Sequence, residues 1–316
     1  MGIFIGSVEI TDGNLHIGST PVQEVYVGSQ KVWPPAPPST DIHFATLWAM
    51  ASVSITPYGI PGAFAVRAGE RIDLTSGTTT YIELSGFVES IEVYFPIATY
   101  TRDAHISFRE DTVPPPVGGV VSVTLHDFGP LVSLDSLVMS CKDLESIVIE
   151  DTRDTIESLY KTFYGTPKLE TYPTMDYSGV LYASSAFEKS KGGGDLVFDF
   201  SSLTTANYMF NCEDADVPSA INSISITCPN LIESEKMFGM VQNLTKIHII
   251  TSNALLECPM MFRYCRKLEC ISGIIDTTGA SNSNYMFDVC DVLAQPTVAE
   301  QDAIEDGDHW EGPSCP

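Results

Sequence analysis

The sequence predicts an α/β solenoid of about seven repeats of roughly 25 residues, preceded by small all-β modules. Three observations carry that expectation. A Met-Phe pair or its equivalent recurs through the second half, with anchors at Val138, Phe163, Phe187, Phe210, Phe238, Phe262 and Phe287. These anchors are spaced 25, 24, 23, 28, 24 and 25 residues apart. Pro-rich runs divide the first third, and the stretches between them are short β-branched runs broken by Gly, Pro and Asp-Gly. At 316 residues the chain is about twice the usual single-domain length, so several units or an extended array are expected. Its 44% hydrophobic and 18% charged residues support real cores and exclude a disordered chain.

The elements follow in order. Residues 1–33 contain Ile5-Gly6-Ser7, Ile17-Gly18-Ser19 and Val27-Gly28-Ser29, with Asp12-Gly13 between the first two. Gly-Ser and Asp-Gly supply the positive φ of tight hairpins, so this is a small β meander. Val25-Tyr26-Val27 and Lys31-Val32-Trp33 read as the arms of one hairpin. A meander this small cannot bury Val25, Val27, Val32 and Trp33 alone, which makes them candidate attachment residues. Residues 34–40, Pro34-Pro35-Ala36-Pro37-Pro38-Ser39-Thr40, form a stiff linker. Residues 41–113 form a β-rich domain without an amphipathic helix, and residues 114–119 a second Pro/Gly spacer.

Residues 120–297 are the repeat array, whose period is that of leucine-rich repeats. Six residues past the anchor stand Leu144, Leu169, Leu244, Leu268 and Leu293. Nine and eleven past it stand Ile147 and Ile149, Leu196 and Phe198, Ile247 and Ile249, the alternation of a strand facing a core. The 28-residue repeat has its strand five residues late, so residues 213–218 are a loop insertion. Gly193 replaces the Leu of its repeat, which is expected to be the loosest. Cys141, Cys265 and Cys290, three past the anchor, are expected to be reduced and buried where coils stack closely. Residues 298–316 are a cap. Thr297 serves as N-cap with Glu300 completing a capping box, and Trp310 covers the last coil.

Several functions are excluded by composition and spacing. A net charge of −25 repels phosphate backbones and anionic lipid, so neither nucleic acid nor membrane is an expected partner. The stretch from Phe44 to Ile55 is too short to span a bilayer, and the N-terminus lacks a targeting pattern, so synthesis in a cytoplasm is expected. The eight cysteines contain no CxxC, which argues against structural zinc. No nucleophile elbow or phosphate loop occurs, and Gly192-Gly193-Gly194 lacks the Lys-Ser/Thr of one. No catalytic, cofactor or metal residue is expected; the carboxylates Glu213, Asp214 and Asp216 lack the spacing of a calcium loop. A sugar-cleaving carboxylate pair stays open, because its geometry is set in space. The strand positions eight and ten past the anchor point outward: Ser146 and Val148, Thr171 and Pro173, Lys246 and His248, Cys270 and Ser272, with Ser223 and Ser225 on the late strand. Ser223, Ser225, Lys246 and His248 are the candidate binding face.

The pattern Met-Phe-x-x-Cys-x-x-Leu followed by an alternating strand resembles the BspA-like leucine-rich-repeat family of surface proteins, over residues 130–297. The copies at Val138, Phe163 and Phe187 lack the Met-Phe pair. The tail from Gln295 through Trp310 to Pro316 looks like the closing segment of such arrays in bacteriophage proteins. Gln23-Glu24-Val25-Tyr26-Val27-Gly28-Ser29-Gln30-Lys31-Val32-Trp33 is similar to a short N-terminal module of phage virion and tail proteins. These resemblances imply a non-enzymatic, homo-oligomeric virion protein, tail-fibre-like or receptor-binding. Its partners would be other virion proteins, through the N-terminal module, and a host surface glycan or protein. A capsid decoration or head-fibre protein and a bacterial surface adhesin are the alternatives.

Overall fold

The computed structural model describes the backbone of residues 8–11, 14–17, 20–21, 25–27, 30–33, 42–49, 52–84, 88–96, 104–109, 119–127, 131–150, 156–213, 219–251 and 255–315. Within these ranges it describes the side chains from residue 45 onward, other than Pro96 and Asp127. The chain divides into two compact units, residues 1–42 and 43–316.

In the first unit β1 (Val8–Thr11), β2 (Asn14–Ile17) and β3 (Thr20–Pro21) form an antiparallel sheet in that order. β4 (Val25–Val27) and β5 (Gln30–Trp33) form a separate hairpin, with Val25 opposite Trp33 and Val27 opposite Gln30. The side chains of Val25, Val27, Val32 and Trp33 lie outside the described residues, as do the linker 34–40 and residues 114–118 of the second spacer.

The second unit opens with β6 (Ile42–Ala49), β7 (Ser52–Tyr58), β8 (Phe64–Arg67), β9 (Glu70–Asp73), β10 (Thr80–Glu83), β11 (Glu89–Pro96), β12 (His105–Arg109) and β13 (Val120–Asp127). β10, β7 and β12 make a three-stranded sheet. The other sheet runs β13, β6, β11, β8, β9 and takes β14 (Ser146–Ile149), the array's first strand, onto its β13 edge. β13 and β14 pair in parallel, Val123 opposite Ile147 and Leu125 opposite Ile149. From β12, Phe108 N–H donates to the Leu137 carbonyl at 2.7 Å and Ser107 Oγ to that of Ser136 at 2.7 Å. The first coil thus meets paired backbone on both sides, and its apolar side chains join one continuous core with those of the preceding sheets.

From there the chain is a β-solenoid of about six turns. A ladder of single bridges joins Ser133, Ser158, Tyr182, Thr205, Glu233, Glu257 and Asn282, each five residues before its anchor. β15 (Gly194–Asp199), β16 (Ile221–Thr227), β17 (Lys246–Ile250) and β18 (Cys270–Asp276) stack in parallel on the other side. The α/β leucine-rich-repeat expectation is corrected: among the described residues the coils carry no helix, and the array is nearly all β.

The reason lies around the anchor. Residues two before it (Ser136, Lys161, Ser185, Tyr208, Lys236, Met260, Tyr285) have φ between 47° and 63°. So do Ser140, Lys189, Met240, Tyr264 and Val289, two after it. A helix cannot pass through left-handed residues, which cost about 1–2 kcal/mol each without glycine. In exchange, alternate N–H groups turn along the array axis. Lys236, Phe238 and Met240 donate to Pro259, Met261 and Arg263 of the next coil at 3.0, 2.9 and 2.8 Å. The intervening groups close tight turns, such as Leu137 N–H to Leu134 at 3.1 Å. The backbone groups that a helix would keep within one coil are therefore shared between two.

Inside, the anchor rings stack from Phe163 through Phe187, Phe210, Phe238 and Phe262 to Phe287. Their centroids are 5.3, 5.0, 5.6, 5.5 and 5.6 Å apart and neighbouring planes lie within 12°. Each such contact adds about 0.5–1.5 kcal/mol beyond area burial. Leu144, Leu169, Leu244 and Leu268 are fully buried. Cys141, Cys265 and Cys290 are free thiols, the first two buried and the third half-buried. The Cys265 thiol donates to the carbonyl of Phe238 (2.9 Å) and the Cys290 thiol to that of Phe262 (3.1 Å), in each case the anchor one coil earlier. Burial pushes the Cys290 thiol up to about 12. Cys270 differs from these three: it forms a disulfide with Cys315.

α1 (Val298–Glu305) and β19 (His309–Gly312) close the array. The Thr297 N–H and hydroxyl both donate to Glu300 Oε2, at 2.7 and 2.6 Å. Trp310 is buried on β19, which pairs antiparallel with β18 and so occupies its outer edge. Thr277 Oγ1 ties the two closing elements, 2.7 Å from the carbonyls of both Ile304 and Asp308.

Candidate functional site

The outward positions of β15–β18 line up in rows, because parallel pairing in register carries one coil's pattern onto the next. Asp195, Ser223, Lys246 and Cys270 form one row; Val197, Ser225, His248 and Ser272 the next. Ser223, Ser225, Lys246 and His248 thus stand together on two adjacent strands. Ser223 Oγ donates to Asp195 Oδ1 at 2.7 Å, and His248 Nδ1 lies 3.0 Å from Ser272 Oγ. Cys270 and Ser272 face outward yet are buried, since the disulfide to Cys315 holds the C-terminal tail against β18. The open part of the face is therefore β15–β17. The tail's role here escaped sequence reading, because a pair 45 residues apart carries no local signature.

Coil two departs from the pattern, and it rather than the coil of Gly193 is the irregular one. Residues 170–177 form no strand, so β14 ends one sheet and β15 begins another. Pro173 cannot donate to a ladder, and it is buried instead of facing outward. Tyr172 turns inward against Phe187, with ring centroids 4.5 Å apart. Gly192 makes room for it: a Cβ there would lie 2.2 Å from the Tyr172 ring. Tyr177 folds back and donates its hydroxyl to the Pro173 carbonyl at 2.7 Å. What remains is a cleft of about 280 Å³ between residues 172–177 and β15.

Charge is distributed unevenly around the coils. On the turn side Lys161, Lys236 and Arg263 lie over the rings of Tyr160, Tyr208 and Tyr264. Strands β15–β18 carry Lys246 as their one cation. Asp176, Asp195 and Asp199 all line the cleft and leave it acidic.

A third arrangement is visible only in the structure. Thr46 Oγ1 lies 3.0 Å from His126 Nε2, whose Nδ1 lies 2.7 Å from Glu150 Oε2, the order of a nucleophile, base and orienting acid. These residues are 80 and 24 positions apart and share no motif. Acyl transfer also needs free N–H donors beside the nucleophile. β6 is an interior strand with β13 and β11 on either side, so the N–H groups flanking Thr46 belong to the sheet ladder. The row fastens β6 and β13 to the array's first coil.

Among the described residues no three His, Cys, Asp or Glu side chains converge as a metal site, and no helix is long and apolar enough to cross a membrane. Asp214 and Asp216 lie outside the described residues. No family model, curated protein or solved structure matches the chain.

Proposed function

We propose that the chain is a non-enzymatic component of a bacteriophage particle, of tail-fibre or receptor-binding type. In this reading residues 1–33 attach it to other virion proteins, and the solenoid presents its sheet face to a host surface glycan or protein. The observation that carries the binding role is the face of β15–β17. Its rows, Asp195, Ser223 and Lys246 and then Val197, Ser225 and His248, are held in register by parallel pairing and by the stacked phenylalanines beneath. Such a surface is preorganised, so little ordering entropy opposes a ligand laid across it. The virion assignment rests on the resemblance of the N-terminal phrase and of the closing segment to phage modules. The separate folding unit at residues 1–42 suits an attachment role.

Two measurements test the proposal. Antibody labelling of particles is expected to place the protein at the tail, and purified protein is expected to bind host cells. Ser225→Trp should then block cell binding without changing the circular dichroism spectrum. Removal of residues 1–40 should leave the solenoid folded and prevent incorporation into particles. Capsid labelling without cell binding would favour a decoration or head-fibre role, and normal incorporation of the shortened chain would refute the attachment role.

A further inference from the structure

We propose, independently of the virion reading, that β15 is a docking edge for a short, extended, basic peptide, which takes the place in the sheet that coil two leaves vacant. β15 is the terminal strand of its sheet. Its even-numbered residues point their backbone groups at β16: Gly194 N–H donates to Ala220 and, beyond the strand, Phe200 N–H to Thr227. Alternation along a strand therefore aims the N–H and C=O groups of Asp195, Val197 and Asp199 into the cleft. Among the described residues no backbone hydrogen bond joins these three to coil two. An open edge beside a cleft is the geometry of strand addition, in which main-chain bonds supply affinity and alternate side chains supply selectivity.

The side chains fix the occupant. Val197, in the middle of the edge, is 81% exposed, a large apolar side chain left open on the array. A strand added to β15 would set one outward residue beside Val197 and its neighbours two away beside Asp195 on one side and Asp199 on the other. The complementary sequence is cation, any, apolar, any, cation. A second copy of this chain is disfavoured as the occupant, because two β15 edges would bring Asp195 and Asp199 against each other, on molecules each of net charge −25.

The test is calorimetric titration of the full chain with an end-blocked Ser-Lys-Thr-Val-Thr-Lys-Ser peptide. Saturable one-to-one binding is expected. Methylating the backbone nitrogens of the two threonines, whose N–H groups face β15 in a parallel addition, should abolish it. Replacing both lysines by glutamate should also abolish it. In the protein, Asp195→Asn with Asp199→Asn should weaken binding about tenfold at low salt and flatten its salt dependence. Val197→Pro should remove binding while keeping the melting temperature, since that N–H has no partner in the sheet. The methylated peptides probe the same edge with the protein unaltered. Absence of saturation at about 1 mM peptide, equal binding of the methylated or glutamate peptides, or dimerisation of the chain through this edge would overturn the proposal.

Discussion

Replacing Phe238 by alanine tests the idea that the ring stack is the main stabilising axis of the array. Phe238 is fully buried, with Phe210 and Phe262 stacked at 5.6 and 5.5 Å on either side. Truncating a buried phenylalanine costs about 3–5 kcal/mol, and two ring contacts worth about 0.5–1.5 kcal/mol each place this site at the upper end. Phe287 has the same side chain but one stacked neighbour, Phe262 at 5.6 Å, and is 6% exposed. Its truncation removes the same atoms and one contact fewer. Phe238→Ala should therefore cost about 5 kcal/mol and Phe287→Ala about 0.5–1.5 kcal/mol less. Urea unfolding followed by far-ultraviolet circular dichroism gives both values where the transition is cooperative. Hydrogen exchange at the amides of each coil gives them where coils open separately. Equal losses at the two sites, or a loss below about 1.5 kcal/mol at Phe238, would show that the rings stack without stabilising.

Three further outcomes follow from the closing elements. Trp310→Ala should cost about 3–5 kcal/mol, read as early opening of the last coil; a loss below about 0.5 kcal/mol would mean that something other than β19 closes the array. The Cys270–Cys315 disulfide closes a separation of 45 residues, which in the chain-entropy model is worth about 4 kcal/mol, so a reductant should lower the melting temperature. Cys270→Ser should reproduce that shift and abolish any further effect of reductant. Burial raises the Glu305 carboxyl above its ordinary value, so the folded chain favours the protonated form. Stability should fall as pH rises from the ordinary glutamate value through the raised one. Glu305→Gln keeps an acceptor for Phe287 N–H and should flatten that slope, matching the parent at pH 4 and exceeding it at pH 8; parallel melting profiles would refute the assignment.

The repeat was legible because its chemistry recurs at fixed positions. Phe at the anchor, Leu six later and a small residue three later recur in most coils. The capping role of Thr297 and Glu300 is local and was equally readable. The turn that replaces a helix was not, since Lys161, Tyr208 and Lys236 hold a left-handed backbone that their own propensities do not announce. That conformation is imposed by hydrogen bonds from the adjoining coil, a tertiary effect outside any single repeat. The interruption in coil two was half visible, in Pro173, but the inward turn of Tyr172 onto Gly192 needed the third coil. Among the candidate binding residues, the common face followed from strand alternation once the late strand was placed. The threonine, histidine and glutamate row and the disulfide join segments with no sequence signal between them.

The shared backbone ladder also sets what such a molecule can be used for. Each coil advances the array by one strand spacing, about 4.8 Å, so the six intervals between bridge residues Ser133 and Asn282 cover only about 29 Å. A single helix of 20 residues covers about as much. Residues 133–282 therefore contribute breadth where a shaft would contribute reach. In a fibre this array is suited to be the tip.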